Sequence, residues 1–286
     1  MKTSAVVVTR CDNYGGHQVE RFIHSISSLC DAFDEVVIVD WNQPGPGMTL
    51  LEHAIGCAPG LIPRENRIKL VKVKPSDITE LWPGLEDYPI IEVLARNIGL
   101  RRASGDWVLL TNPDCVISRQ IPVNKLDDET MYTCSRSDVE ISHFTRFTDT
   151  DELIIDLMKR EYASKPFVDP EHPRNGDIWS LVVCCGDFQL AHKSVWDKIR
   201  GFEEAFTCYG CGIDTNVMKK AYTECKTARI GDTKLIFHLN HTKTTDFPSK
   251  RNLQMGNQKS MIQDFTHTTN SKNWGCKEYA FDTIIY

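Results

Sequence analysis

Short apolar runs of strand length alternate with segments of helical period along the first 120 residues. The run SAVVVTR is followed by the turn-prone CDNYGG and then by HQVERFIHSISSLC, whose apolar residues recur at helical spacing. The order repeats in DEVVIVDWNQPGPG and MTLLEHAIG, and again in RIKLVKVKP, IIEVLARNIGLRRASGD and WVLLTNPDCVIS. Strands that alternate with helices predict a doubly wound α/β fold with a mostly parallel central sheet.

Local features add detail to this prediction. RIKLVKVKP alternates apolar and basic residues, which is typical of an edge or half-exposed strand, and Gly105 is expected to end the helix before WVLLTNPDCVIS. Further along, the patterns predict a strand in SDVEISHFTRF, a helix in DTDELIIDLMKREYA and a long loop in KPFVDPEHPRNGD. No internal repeat or low-complexity tract divides the chain, so we expect one continuous fold.

Composition excludes several classes of protein. A formal net charge of -6 and a pI near 5.9 disfavour binding to duplex nucleic acid or to a membrane surface, while a local cationic pocket remains compatible with them. The N-terminal apolar run is too short for a signal peptide, and no apolar run reaches the roughly 18 residues that a transmembrane helix needs. The 11 scattered cysteines fit a reducing compartment. We therefore expect a cytoplasmic protein without a transmembrane segment.

Polar residues follow the predicted strands, at the edge where a parallel sheet binds its ligands. They are Thr9 and Arg10, then Asp40, Trp41 and Asn42, then Asn112, Pro113 and Asp114. Burying a carboxylate such as that of Asp114 costs free energy unless it is paired, hydrogen-bonded or bound to a cation. The segment LIFHLNHTK offers His238 and His241 as partners, and carboxylate and imidazole donors suit Mn²⁺ or Mg²⁺.

Two further aspartates stand beside glycines. Asp214 follows a glycine-containing segment and opens a stretch of helical pattern, and Asp187 lies in CCGDFQL. Asp is a favoured helix N-cap, so Asp214 is either a cap or a functional carboxylate beside a loop that a ligand can approach closely. Asp187 has the same two interpretations.

A structural zinc site is a competing interpretation. Cys208 and Cys211 form a C-x-x-C pair, and His238 and His241 form an H-x-x-H pair. The gap between the pairs is longer than in compact zinc fingers, and the histidines are closer together than usual, so the spacing favours free thiols. The glycine-rich signatures of P-loop proteins, α/β-hydrolases and dinucleotide-binding oxidoreductases do not occur in the sequence.

The order of these segments resembles the nucleotide-sugar-dependent glycosyltransferases of GT-A fold, most closely the family 2-like enzymes. The resemblance runs from about residue 5 to 245 and is carried by IVDWNQP, ARNIGLRRASGDWVLLTNPD, CGDFQLAHKSVWDKIRGFEEAF, GIDTN and IFHLNH. It implies a Rossmann-like, mostly parallel central sheet flanked by helices, in a single domain that covers residues 1–286. Residues 1–120 would form the nucleotide-binding half, and residues 121–286 the acceptor-binding half with the C-terminal tail.

The resemblance also implies roles for individual residues. The donor-binding residues would be Thr9, Arg10, Asp40, Trp41, Asn42, Asn97, Asn112 and Asp187. Asp40 would reach the nucleotide base. Asn112-Pro113-Asp114 stands where the family has Asp-x-Asp, so Asp114 would bind the metal while the Asn112 amide contacts ribose or sugar. His238 would be the second protein ligand, with His241 as the second choice, and diphosphate oxygens and water would complete the shell.

Ile213-Asp214 stands where many relatives have Glu-Asp, so the resemblance implies that Asp214 is the catalytic base. Trp179 and Tyr209 are expected to contact the acceptor. A divalent cation neutralises charge on the leaving diphosphate, and a positioned carboxylate contributes roughly 10²- to 10⁴-fold by general-base catalysis. The implied reaction is inverting transfer of a hexosyl or pentosyl group from a UDP-linked or similar donor to a glycan or small-molecule acceptor.

Two alternatives remain open at this point. A sugar-phosphate nucleotidyltransferase would use a similar sheet and metal, but TRCDNYGG has too few glycines and basic residues for its loop. A non-catalytic module of the same fold is favoured by Asn112 and by Ile213, which replace acidic residues of the family pattern. Fold alone does not confer activity.

Overall fold

The computed structural model describes residues 1–41, 47–60, 67–86, 88, 90–160, 186–205, 212–230, 234–242 and 268–286. The predicted loop KPFVDPEHPRNGD lies outside these residues. The described strands are β1 (Thr3–Thr9), β2 (Glu35–Trp41), β3 (Ile68–Val73), β4 (Trp107–Leu110), β5 (Cys115–Ile117), β6 (Thr130–Cys134), β7 (Arg136–Val139), β8 (Gln189–His192), β9 (Lys226–Ile230), β10 (Ile236–Leu239) and β11 (Asp282–Ile285). The described helices are α1 (Gln18–Ala32), α2 (Leu50–Cys57), α3 (Pro75–Leu81), α4 (Glu92–Arg102), α5 (Ile141–Phe144), α6 (Thr150–Lys159), α7 (Lys193–Ile199) and α8 (Ile213–Glu224).

The strands build one long central sheet and one short sheet. In the described part of the chain, the central order is β11-β3-β2-β1-β4-β8-β6-β9. Strands β3, β2, β1 and β4 are parallel, β8 runs antiparallel to β4 and β6, and β9 is parallel to β6. Strands β5, β10 and β7 form the short sheet. The predicted Rossmann-like, mostly parallel sheet is confirmed.

Helices cover both faces of the central sheet. Val6 and Val8 of β1 pack on the face that also holds apolar residues of α4, α7 and α8, whereas Ala5 and Val7 pack on the opposite face with α1 and α2. Because neighbouring strands and helices surround it, β2 is buried at all 7 positions. That burial explains the apolar run at residues 36–39 in the middle of the strand. Within the described residues, no helix is both long and apolar enough to cross a bilayer.

The structure corrects three sequence predictions. WVLLTNPDCVIS is two strands, because the chain leaves the central sheet after Thr111, whose N–H donates to Val6 O at 3.1 Å, and re-enters as β5 of the short sheet. SDVEISHFTRF contains only the strand β7, followed by the helical turn α5. Helix α4 ends at Arg102 and not at Gly105.

The C-terminal segment also changes one prediction. β3 is half-exposed along its lysines, as its alternating pattern indicates, but it is not an edge strand. β11 pairs with it antiparallel, in the register Ile284 to Leu70. β11 therefore returns to the first 120 residues of the chain and pairs with a strand whose edge would otherwise be exposed.

Arg102 of helix α4 binds this C-terminal segment through several backbone carbonyls. The Arg102 guanidinium donates to Gly275 O at 2.9 Å, Cys276 O at 3.0 Å and Tyr279 O at 2.8 Å. The same group lies 4.7 Å from the ring centroid of Phe281. A charged donor that satisfies three carbonyls holds the segment against the helix.

We expect the substitution Arg102→Met to lower the free energy of unfolding by roughly 2–4 kcal/mol, since it removes charge-assisted hydrogen bonds to backbone carbonyls. Urea unfolding measures the change. The control is Arg160→Met, which breaks the ion pair of a half-exposed Arg160 with Asp156 and should cost much less stability, because solvent screens the pair. Equal losses in the two variants would contradict a special role for Arg102.

Candidate active site

The carboxyl ends of β1 and β2 bring predicted donor residues together. Thr9 lies opposite Asp40 in the register of the two strands, and its hydroxyl donates to Asp40 Oδ1 at 3.2 Å. Both side chains are buried. Arg10 follows β1, forms an ion pair with Asp12 at 2.9 Å, and stacks 4.5 Å from the ring centroid of Tyr14. This edge therefore gathers a hydroxyl, a carboxylate and a guanidinium.

The break between β4 and β5 places Asp114 beside the predicted histidines. β10 runs antiparallel to β5 with His238 opposite Cys115, and Leu239 N donates to Asp114 O at 2.9 Å. Backbone pairing in the short sheet thus brings together residues that are distant in the sequence.

Asp114, His238 and His241 form a compact group of possible metal ligands. Asp114 Oδ2 lies 3.9 Å from His238 Nε2 and 3.2 Å from His241 Nε2. One ligand atom of each residue lies within 4.8 Å of the others. The structure thus brings Asp114 and His238 together, and it places His241, the second choice, even closer to the carboxylate. One carboxylate oxygen and two imidazole nitrogens fit a divalent cation such as Mn²⁺.

The charges around this group keep Asp114 ionised. Burial acts to raise the pKa of Asp114, but the hydrogen bond with His241 and the charges of His238 and Arg21 outweigh it and lower that pKa to about 2. Burial acts to lower the pKa of His238, but the hydrogen bond with Asp138 and the charge of Asp114 raise it above its ordinary value. A cation that bound here would replace the proton on the imidazole.

Arg21 of α1 is part of this group and was not predicted from the sequence. Its Nη1 donates to Asp114 Oδ2 at 2.9 Å, and its side chain is 3% exposed. Its Nη2 donates to Gly16 O at 3.1 Å and also to Tyr14 O. Arg21 therefore joins the carboxylate of Asp114 to the backbone of the segment between β1 and α1.

Asp214 lies in the first turn of α8 and faces a buried arginine. The N-cap of α8 is Gly212, so the interpretation of Asp214 as the cap is wrong. Arg96 of α4 donates from Nη1 to Asp214 Oδ1 at 2.6 Å, and the Asp214 side chain is 35% exposed. A Cβ atom at Gly186 would lie 2.4 Å from Asp214 Oδ2. The carboxylate thus fits between Arg96 and a position where only glycine leaves room.

Asn112 links this arginine to a second aspartate. Its Oδ1 accepts from Arg96 Nη2 at 3.0 Å, and its Nδ2 donates to Asp187 Oδ1 at 2.7 Å. An amide can accept on one side and donate on the other, whereas an ionised carboxylate can only accept. This contact pair explains why Asn stands at the first position of the metal motif, where a carboxylate would face Asp187 without a proton to share.

The chain of contacts continues from Asp187 to the metal ligands. Arg136 Nη1 donates to Asp187 Oδ2 at 2.5 Å, and Arg136 Nε lies 3.2 Å from Asp138 Oδ1. The same Asp138 oxygen lies 3.1 Å from His238 Nδ1. A carboxylate on Nδ1 orients an imidazole so that Nε2 remains available to a metal. Alternating charges therefore connect Asp214 with His238 across the site.

The remaining predicted residues are buried in the protein interior or fall outside the described residues. Trp41 is fully buried and packs against Trp82, with the ring centroids 5.6 Å apart, so it belongs to the core. Asn97 is also fully buried, and its amide exchanges hydrogen bonds of 2.9 and 2.7 Å with the backbone of Phe202. Thr9 and Asp40 are buried to a similar degree, so the role of Trp41 and Asn97 in donor binding stays a prediction. Asn42, Trp179, Tyr209, Cys208 and Cys211 fall outside the described residues.

Three arginines of the site, Arg21, Arg96 and Arg136, were missed by the sequence analysis. Arginine is usually exposed, so an isolated one in a helix predicts solvent contact. One signal was present: Arg96 stands in the apolar segment EVLARNIG, where a charged residue requires a buried partner. This signal was easy to miss, because Arg96 follows Glu92 by four residues, which is the spacing of an ordinary ion pair on a helix surface. The two side chains do form an ion pair, at 3.1 Å.

The contact between Asn112 and Asp187 leads to a test. Asn112→Asp places two carboxylates in the 2.7 Å contact and should lower the free energy of unfolding by roughly 1–3 kcal/mol at neutral pH. The crowded pair takes up a proton more readily in the folded protein than in the unfolded chain. The loss should therefore shrink as the pH falls. Urea unfolding near neutral pH and near pH 5 measures both effects.

A second substitution supplies the control. Asp187→Asn in the Asn112→Asp background exchanges donor and acceptor and restores the hydrogen bond, so the double variant should be more stable than Asn112→Asp alone. If the double variant were no more stable than Asn112→Asp, the contact with Asp187 would not explain why residue 112 is asparagine.

The fold is similar to that of solved structures of S. aureus TarS. The TarS 1-349 chain in complex with UDP-GlcNAc aligns with a TM-score of 0.53 and 15% identity over 96% of this chain and 69% of that chain. The chain in complex with UDP aligns with a TM-score of 0.50 and 13% identity over 93% of this chain and 70% of that chain. The similarity extends over nearly the whole chain and agrees with the GT-A fold expected from the sequence.

Two further TarS crystal structures align with a TM-score of 0.48, and this chain spans 60% of the TarS 1-349 chain and 37% of the longer TarS chain. No protein-family model matches the sequence, and no curated protein matches it. The similarity to TarS is therefore one of fold.

Proposed function

We propose that this chain is a metal-dependent glycosyltransferase that transfers a sugar from a nucleoside-diphosphate sugar to a hydroxyl group, with inversion. The observation that carries the proposal is the convergence of Asp114, His238 and His241 at the carboxyl edge of the sheet. This edge also holds Thr9 and Asp40. A nucleotide with its diphosphate is the ligand class that such sheet edges commonly bind.

The metal site would be formed by Asp114, His238 and His241. Mn²⁺ or Mg²⁺ bound there would neutralise the charge that develops on the leaving diphosphate. Asp138 accepts the Nδ1 proton of His238 and so keeps Nε2 directed at Asp114. Thr9, Asp40 and Arg10 line the adjoining edge and are the proposed nucleotide contacts, with Asp40 reaching the base. TarS has been crystallised with UDP-GlcNAc and UDP, which supports a uridine nucleotide.

Asp214 is the proposed catalytic base. Its carboxylate is partly exposed, whereas Asp114 is buried, and this difference matches a group that meets an incoming acceptor. Arg96 binds Oδ1, which orients the carboxylate and leaves Oδ2 to accept the proton of the acceptor hydroxyl as that oxygen attacks the sugar. Asn112 and Asp187 are hydrogen-bonded to each other, Asn112 also accepts from Arg96, and Asp187 also accepts from Arg136. We therefore propose that they position the site more than they contact the sugar.

The proposed site takes residues from both halves of the chain. Asp114 lies in residues 1–120, whereas Asp214, His238 and His241 lie in residues 121–286. This division supports one domain over 1–286, with a nucleotide-binding half and an acceptor-binding half. Trp179 and Tyr209 remain proposed acceptor contacts, and we propose a cytoplasmic location for the reaction.

Metal dependence can be measured directly. We expect the protein to release UDP from a UDP-sugar in the presence of Mn²⁺, and EDTA should stop the release. Asp114→Asn should weaken Mn²⁺ binding at least about tenfold, because a charged ligand is lost. Circular dichroism checks its fold, since the change also removes the partner of Arg21. Nucleotide binding without metal-dependent turnover of any donor would favour the non-catalytic module, and consumption of a nucleoside triphosphate would favour the nucleotidyltransferase.

The role of Asp214 has its own test. Asp214→Asn keeps an oxygen for Arg96 but removes the proton acceptor, so kcat should fall roughly 10²- to 10⁴-fold while the dissociation constant of the donor changes less than about twofold. Asp197→Asn is the matched control. Asp197 also pairs with an arginine, Arg101, at 3.0 Å, but on the surface of α7. Parallel loss of donor binding in Asp214→Asn would contradict the assignment of Asp214 as base.

A further inference from the structure

The two histidines of the proposed metal site are held in different ways. His238 lies within β10, where backbone pairing and Asp138 fix it. His241 lies beyond the end of β10. Its Nδ1 lies 3.1 Å from Thr242 O, which leaves Nε2 directed at Asp114. Because no strand holds His241, its position depends on what packs against the imidazole ring.

The segment between β1 and α1, residues 10–17, packs against that ring and is called the β1–α1 loop. The ring centroids of Tyr14 and His241 are 5.0 Å apart. Thr242 N donates to Gly15 O at 3.1 Å, so the backbone after His241 is bonded to the loop. A Cβ atom at Gly15 would lie 2.5 Å from His241 Nδ1 and 2.8 Å from His241 Cβ. The imidazole occupies the space that a side chain at position 15 would need.

The β1–α1 loop is itself held firmly. Gln18 Nε2 donates to Arg10 O at 2.7 Å, and its Oε1 accepts from Asn13 N at 2.8 Å. Arg21 bonds to the carbonyls of Tyr14 and Gly16 and to Asp114. The side chains of α1 thus fix the loop relative to the metal-binding carboxylate. Because the β1–α1 loop is held in place, its contact with the His241 ring can determine where His241 Nε2 lies.

We propose that Tyr14 and Gly15 are positioning residues of the metal site, which hold His241 at Asp114 from the side of the β1–α1 loop. The proposal rests on the proposed function, because it assumes that Asp114, His238 and His241 bind a divalent cation. It extends that function by making the loop after the first strand a determinant of metal affinity. The same Tyr14 ring also lies under Arg10, a proposed nucleotide contact.

Two adjacent glycines provide a matched test. Gly15 and Gly16 both adopt left-handed backbone conformations, with φ of 74° and 75°, so alanine meets similar backbone strain at either position. They differ in surroundings, because a Cβ atom at Gly16 would have nothing within 4 Å. Mn²⁺ affinity of the full chain, measured by titration calorimetry without nucleotide, should fall about 10- to 100-fold in Gly15→Ala and less than about threefold in Gly16→Ala.

The outcomes separate this proposal from the proposed function. If the unsubstituted protein bound no Mn²⁺, the metal-dependent function would fail and the positioning proposal with it. If it bound Mn²⁺ and both alanine variants bound equally well, only the positioning proposal would be overturned.

If Gly15→Ala does not fold, Tyr14→Leu and Tyr14→Phe test the same positioning proposal. Loss of the ring in Tyr14→Leu should weaken Mn²⁺ binding about tenfold, and Tyr14→Phe should leave it within about twofold. Equal affinities in these two variants would overturn the proposal.

Discussion

The buried carboxylate of Asp114 is the charge around which the candidate site is organised. An ionised carboxylate taken out of water costs several kcal/mol unless opposite charges and hydrogen bonds compensate it. Here the compensation comes from Arg21 of α1, from His238 of β10 and from His241 beyond that strand. Because these partners lie on separate elements, satisfying one charge forces the central sheet, the short sheet and the β1–α1 loop to meet at one point. The break between β4 and β5 is what allows this, since it carries the chain from one sheet to the other at Asp114.

The same physical requirement explains the rest of the polar network. Arg96 is buried and contacts Asp214, Asn112 and Glu92, and Arg136 lies between Asp187 and Asp138. Positive and negative groups alternate along this path, and an amide stands at the one place where a carboxylate would meet another carboxylate. The asparagine at the first position of the metal motif is therefore compatible with a working site. Compared with aspartate, Asn112 lacks a carboxylate that could bind a metal, but its neutral amide connects the Arg96 guanidinium with the Asp187 carboxylate.

The sequence was informative wherever a pattern follows local geometry. Alternation of strand and helix predicted the parallel sheet, and the polar residues after the strands located Asp40, Asp114 and His238. The partners of these residues could not be predicted, because contacts such as Arg21 with Asp114 depend on which helix face turns inward, and arginines are usually solvent-exposed. The return of β11 to β3 was hidden for a related reason. A short apolar segment at the end of a polar tail does not indicate which strand it will pair with.

The two candidate functional carboxylates differ in the way that their proposed tasks require. Asp114 is buried and compensated by three cationic or imidazole groups, so it stays ionised and fixed, as a metal ligand must. Asp214 is partly exposed; Arg96 binds its Oδ1, and its Oδ2 fills the space that a Cβ atom at Gly186 would need. A partly exposed carboxylate that an arginine already orients can meet a hydroxyl without rearrangement of the protein. The path of alternating charges between them means that neither group can shift without altering the contacts of Asn112 and Asp187, which lie between them. The proposed metal ligand and the proposed base thus belong to one network of contacts, which holds them in place relative to each other.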